Sequence, residues 1–97
     1  SVMPRGGGLS LNVYPNPTSV RLAVSFELSK STDALAEVFD LAGRRIVVLS
    51  RGTLPAGPVN LTWDGRGEDG RRQPDGIYFV RVKAGADVVT RRIALVK

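Results

Sequence analysis

Cysteine and histidine are both absent from the 97 residues of this chain. Without cysteine the chain can form no disulfide bond and offers no thiolate nucleophile, and without histidine it has no imidazole to act as a general base. The same two residues supply most ligands of protein-bound zinc. The sequence therefore disfavours most catalytic sites, and we predict neither enzymatic activity nor a metal or other cofactor.

Long apolar runs are also missing, since no segment approaches the length that a membrane-spanning helix needs. The first residues lack the charged, apolar and small-residue order of a signal peptide. Hydrophobic residues still make up 42% of the chain and charged residues 24%, which is ordinary for a globular domain. We expect one domain with a single core and no membrane insertion.

Acidic residues are the minority among the charged side chains, nine against fourteen basic residues, and the net charge is +5. The basic residues are dispersed and lack stacking aromatics at strand spacing, so we predict no binding of nucleic acid. Their largest local excess lies between residues 81 and 97, where an anionic partner could be attracted. The same charges would keep an edge strand from pairing with a neighbouring molecule, and both interpretations remain open.

Residues 1–8 contain a proline and three consecutive glycines and offer little to bury, so we predict a linker there. Residues 9–97 form the predicted domain. Because the chain begins with serine rather than methionine, we expect a larger protein to precede it.

Alternation of apolar and polar side chains with a period of two predicts β-strands along most of the domain. The clearest strand covers residues 20–28. We predict six others at residues 9–14, 34–40, 46–49, 59–63, 77–83 and 88–96. Seven short strands without a helical period predict an all-β fold, an immunoglobulin-like β-sandwich of about seven antiparallel strands.

Glycine and proline predict the connections between these strands. Pro15-Asn16-Pro17 predicts a stiff corner, and Gly43 predicts a turn that needs a positive φ. Residues 51–57 and 64–76 are predicted loops. The second loop is acidic at residues 64–70, where we favour a turn held by side-chain to backbone hydrogen bonds over a calcium site.

Four short motifs occur in order along the chain: LNVYPNP at residues 11–17, VFDLAGR at 38–44, WDG at 63–65 and DGIYF at 75–79. Together they resemble the C-terminal sorting domain of type IX (Por) secretion cargo and the similar immunoglobulin-like domain of flagellar hook-capping proteins. The resemblance covers residues 9–97 and departs from the related pattern at Gly67, where an aspartate is common. Its structural motif residues are Pro15, Asn16, Pro17, Asp40, Trp63, Asp64, Gly65, Gly76 and Tyr78.

The resemblance implies a non-catalytic, monomeric domain that follows a larger cargo protein and directs it through the periplasm to the cell surface. Outer-membrane secretion and sorting proteins would be its partners, and cleavage would fall within residues 1–8. We predict recognition through Gly43, Arg44, Arg81, Lys83, Arg91, Arg92 and Lys97. The alternative is a structural or assembly module, as in hook-capping proteins, or a spacer within a surface enzyme.

Two further functions are disfavoured by the positions of their residues. Trp63 and Tyr78 could belong to a sugar-binding platform, but a sandwich needs bulky core residues on such strands, so we predict core packing. Asp64 and Asp75 could be paired for glycoside hydrolysis, but both flank glycines in a turn-rich loop. We therefore predict no hydrolase site.

Overall fold

The computed structural model describes residues 9–96, so the predicted linker and Lys97 lie outside the described residues. The described part contains strands and no helix. The strands are β1 (Leu11–Tyr14), β2 (Leu22–Leu28), β3 (Thr32–Asp40), β4 (Arg45–Leu54), β5 (Gly57–Trp63), β6 (Gly76–Ala84) and β7 (Asp87–Leu95). The predicted all-β sandwich of seven antiparallel strands is confirmed.

The strands form two sheets that pack face to face. One sheet has three strands in the order β1-β2-β5, and the other has four in the order β4-β3-β6-β7. Every pairing within them is antiparallel. Along most strands alternate side chains point between the sheets, where burial of their apolar surface drives folding. The largest fully buried side chains of this core are Leu11, Leu22, Val24, Val38, Trp63, Val80, Val82, Ile93 and Leu95.

The fourth strand is longer than predicted. Pairing with β3 continues to Leu54, so the predicted loop at residues 51–57 is wrong. The register between the two strands shifts twice, which leaves Ile46 and Leu49 as extra residues without a directly opposite partner. Each of these β-bulges reverses the inward and outward alternation of β4. Residues 46–49 are therefore consecutive apolar residues without a period of two, and the strand continues beyond them.

The proline corner after β1 covers the outer edge of β7. The side chain of Asn16 accepts a hydrogen bond from the N–H of Ala94 at 3.1 Å and donates one to the carbonyl of Arg92 at 3.1 Å. The backbone of Thr18 continues this pairing, since its N–H donates to Ala94 and its carbonyl accepts from Val96. Residues 16–18 thus satisfy backbone groups that an edge strand would otherwise leave open.

We predict that Asn16→Ala lowers the free energy of unfolding by about 1–2 kcal/mol, because one donor and one acceptor on β7 lose their partner. Urea denaturation followed by far-ultraviolet circular dichroism measures this change. Asn60→Ala is the matched control, since Asn60 is exposed in the middle of β5. Equal unfolding midpoints for the two variants would contradict the edge-covering role of Asn16.

Two aromatic side chains anchor the long loop between β5 and β6 to the core. Trp63 and Tyr78 pack edge to face, with ring centroids 5.4 Å apart and an interplanar angle of 61°. The indole N–H of Trp63 donates a hydrogen bond to the backbone carbonyl of Arg66 at 2.9 Å. The hydroxyl of Tyr78 donates one to the backbone carbonyl of Pro74 at 2.6 Å. Both rings are buried. The prediction of core packing for these two residues is confirmed.

Candidate recognition surface

The two predicted recognition residues Gly43 and Arg44 lie in the turn between β3 and β4. Gly43 has a φ of 88°, as predicted, and its N–H donates to the carbonyl of Asp40. The Asp40 carboxylate accepts a hydrogen bond from the Arg44 N–H at 2.9 Å and pairs with Arg44 Nε at 3.0 Å. The hydrogen bond from the Arg44 backbone holds the pKa of Asp40 below its usual value. The motif VFDLAGR therefore builds a turn that Asp40 closes.

Three of the other predicted recognition residues share one face. Arg81 and Lys83 occupy alternate positions of β6, and the residues between and beside them, Val80 and Val82, are buried. Arg81 and Lys83 therefore point away from the core. Arg92 lies opposite Phe79, an outward position of β6, so it belongs to the same face.

Arg91 does not belong to that face. It lies opposite the buried Val80, which places its side chain on the other side of β7. Adjacent residues of a strand point to opposite faces, so the Arg91-Arg92 pair cannot act as one unit. Lys97, the last predicted residue, lies outside the described residues.

Arg45 and Arg51 extend the face onto β4, although the sequence did not identify them. Arg45 lies opposite Phe39 and Arg51 opposite Leu35, both outward positions of β3. We use the name basic face for the outward side of the four-stranded sheet. It contains five basic residues, two acidic ones and the half-buried apolar residues that separate them: Arg45, Arg51, Arg81, Lys83, Arg92, Asp33, Glu37, Leu35, Phe39 and Phe79.

A buried carboxylate occupies the centre of the basic face. Glu37 is only 3% exposed, although it points outward from β3. Its carboxylate accepts a hydrogen bond from Arg81 at 3.0 Å and a longer one from Arg45 at 3.5 Å. The guanidinium carbon of Arg81 also lies 4.5 Å from the centroid of the Phe39 ring, a cation–π contact. The carboxylate and the ring thus hold Arg81 in place at the centre of the face.

The cations at the periphery of the face are not compensated in this way. Arg51, Lys83 and Arg92 are exposed and form no ion pair with any residue between 9 and 96. Asp33, the second acidic residue of the face, accepts a hydrogen bond from the hydroxyl of Thr53 at 2.6 Å. The face therefore carries an excess of positive charge at its rim.

The acidic loop after β5 consists of turns, as predicted. The Asp64 carboxylate accepts a hydrogen bond from the backbone N–H of Arg66 at 3.1 Å. The Asp69 carboxylate accepts one from the backbone N–H of Arg71 at 2.9 Å. A Cβ on Gly67 would meet the side-chain amide of Gln73 at 2.8 Å, so the glycine that departs from the related pattern fits this loop. Residues 9–96 contain no group of three potential metal-ligating side chains.

We predict that the stability of the domain falls as the pH rises above about 10, the usual pKa of tyrosine. Burial raises the pKa of Tyr78, and the charges of Asp40 and Asp75 raise it further. The folded state then keeps a proton that the unfolded state has already lost, so this stabilisation is complete below the unfolded pKa and is lost above it. Urea denaturation of the wild type and of Tyr78→Phe across this range measures the effect. An identical loss of stability in both would contradict it.

Residues 9–96 include no helix of the length and hydropathy that crossing a membrane requires. The sequence model of one protein family, described as the FlgD Ig-like domain, matches residues 12–87. None of the curated protein sequences matches the chain.

Solved structures with the same fold include chains of three bacterial proteins. Dimeric latent PorU of Porphyromonas gingivalis matches 98% of this chain with a TM-score of 0.75 and 16% sequence identity. FlgD of P. aeruginosa matches 96% of this chain with a TM-score of 0.61 and 22% sequence identity. PorZ of Porphyromonas gingivalis, a surface component of the type-IX secretion system, matches 90% of this chain with a TM-score of 0.55 and 25% sequence identity. The chain spans 10% of the PorU chain, 74% of FlgD and 11% of PorZ.

Proposed function

Because the chain belongs to the FlgD Ig-like domain family, we propose that it is a non-catalytic docking module of a larger exported bacterial protein. Its role is to hold that protein in a surface or extracellular assembly by binding an anionic partner. The similarity to a domain-sized part of PorZ, itself a bacterial surface component, supports this setting.

The basic face is the observation that carries the proposal. The interior of the sandwich is filled with apolar side chains, so binding must use the outer surface. On the outward side of the four-stranded sheet, the unpaired cations Arg51, Lys83 and Arg92 lie around apolar side chains that their neighbours cover only in part. Exposed apolar area rimmed by charge is typical of a protein interaction site.

Two charge-reversal variants of the full-length parent protein test the proposal. The face variant carries Arg51→Glu, Lys83→Glu and Arg92→Glu, and the control variant carries Arg21→Glu, Lys30→Glu and Arg71→Glu, three exposed cations elsewhere, which changes the net charge equally. We expect the face variant to be released from the assembly while the control variant is retained, as measured by cell fractionation and immunoblotting. Equal retention of both would contradict the proposal.

A second candidate function is a type IX sorting signal. The four sequence motifs and the similarity to PorZ favour it. In this function Gly43, Arg44, Arg91 and Lys97 would join the basic face as recognition residues for outer-membrane sorting proteins, and the domain would act as a monomer.

A reporter fused ahead of this chain in a bacterium with a type IX system tests the sorting function. Deletion of β7 also removes Ile93 and Leu95 from the core, so loss of export in that variant has two explanations. Deletion of Lys97 alone leaves every described strand in place and is the decisive variant. We expect it to leave the reporter in the periplasm, and export at the normal level would contradict the sorting function.

A further inference from the structure

We infer that the partner of the basic face is an acidic protein segment whose apolar side chains cover the centre of the face and whose carboxylates pair with its rim. This inference rests on the proposed docking function and names the chemistry of the partner. It follows from how charge and apolar surface are divided over the four strands.

The centre of the face offers apolar contact rather than free charge. Arg81 is bonded to Glu37 and stacked on Phe39, so its guanidinium already has a carboxylate partner. Leu35 and Phe79 lie beside this group at outward positions and are half-buried without a covering layer among residues 9–96. Apolar groups on a partner would remove this area from water, which is favourable.

The rim of the face offers free cations on both sides of that centre. Arg51 lies on β4 and Arg92 on β7, the two edge strands of the sheet. Neighbouring strands are about 4.8 Å apart, so these two strands are separated by about 14 Å. Lys83 lies between them on β6. An apolar centre with a charged rim is the usual organisation of a protein–protein interface, and arginine pairs strongly with carboxylates.

A polyanion such as a nucleic acid or a sulfated glycan fits this arrangement less well. Its charges are distributed along the whole backbone, so it would place anionic groups over the apolar centre and over the Glu37 carboxylate. One side of the Phe39 ring is occupied by Arg81, so that side is not free to stack on a base or a sugar. A peptide can present acidic and apolar side chains at separate positions.

Fluorescence anisotropy with three labelled probes tests the inference on the wild-type chain, the face variant and the control variant. The probes are a short peptide of glutamate and phenylalanine, polyglutamate of equal charge, and heparin. We expect the mixed peptide to bind most tightly. The face variant should bind it at least about tenfold more weakly, since charge reversal removes rim attraction and adds repulsion, while the control variant should bind like the wild type.

Phe79→Ala is a second variant that leaves every charge in place. We expect it to weaken binding of the mixed peptide but not of polyglutamate, because it removes only an apolar contact at the centre. Tighter binding of heparin through the same rim residues would overturn the assignment of a protein partner and leave the docking function standing. Absence of binding by all three probes would overturn both.

Discussion

Replacing Trp63 with alanine is expected to lower the free energy of unfolding by about 3–5 kcal/mol, the usual result of truncating a buried large aromatic residue. Trp63 is 1% exposed and packs on Tyr78, and its indole N–H holds the carbonyl of Arg66. The variant loses core contacts and the hydrogen bond that fixes the start of the long loop. Urea denaturation followed by far-ultraviolet circular dichroism measures the change.

Tyr14→Ala is the matched control for this variant. Tyr14 is an aromatic strand residue like Trp63 but is 56% exposed, so we expect a change within about 0.5 kcal/mol. The comparison separates burial from the mere loss of an aromatic ring. A Trp63→Ala variant no less stable than Tyr14→Ala would contradict the position of Trp63 in the core.

Replacing Glu37 with leucine is expected to lower the free energy of unfolding by about 2–3 kcal/mol. Removing one partner of a buried ion pair leaves the other charge without compensation, at a typical cost of about 3–5 kcal/mol. The cost is smaller here because the side chains of Arg81 and Arg45 are 37% and 44% exposed and remain partly hydrated. Denaturant unfolding at neutral pH measures it.

The double variant Glu37→Leu with Arg81→Leu completes a thermodynamic cycle. Two apolar side chains of suitable size can replace a buried ion pair with little change in stability, so we expect the double variant to be more stable than Glu37→Leu alone. A double variant whose loss equals the sum of both single losses would show that the two side chains are not coupled. That result would contradict the description of the centre of the face.

Most of the fold could be predicted from the sequence because the inner and outer faces of the strands differ in polarity. In β2 and β6 every second residue is buried, so the period-two pattern identified both strands. It failed in β4, where two bulges reverse the alternation and four consecutive apolar residues are all half-buried. It also extended the second strand to Val20, which is 61% exposed and precedes β2.

The candidate site could be predicted only in part, because its composition depends on register between strands distant in sequence. The alternation within β6 placed Arg81 and Lys83 on one face correctly. The contributions of Arg45 and Arg51 follow from the register of β4 against β3, which the sequence does not show. Glu37 could not be identified as buried, since its environment comes from Arg81, 44 residues away. A charged residue within the otherwise apolar run of residues 34–39 was the available signal.

Polar contacts between residues far apart in the chain could not be predicted from the sequence for the same reason. Pro15-Asn16-Pro17 predicted a corner, but the partners of the Asn16 side chain are 76 and 78 residues away on β7. Side-chain to backbone bonds within a turn, such as those of Asp64 and Asp69, span two residues and were predictable. Both kinds of contact are hydrogen bonds between a side chain and the backbone, so the distance between the partners in the sequence decides whether the contact can be predicted.

Arginine footprinting of the intact parent protein tests the docking function of the basic face most directly. A dicarbonyl reagent modifies exposed guanidinium groups, and mass spectrometry of the digested protein reports each position in the free and the assembled states. We predict that assembly protects Arg51 and Arg92 while Arg21 and Arg71, which are exposed and lie outside the basic face, remain reactive. Equal modification of Arg51 and Arg92 in both states would contradict the account.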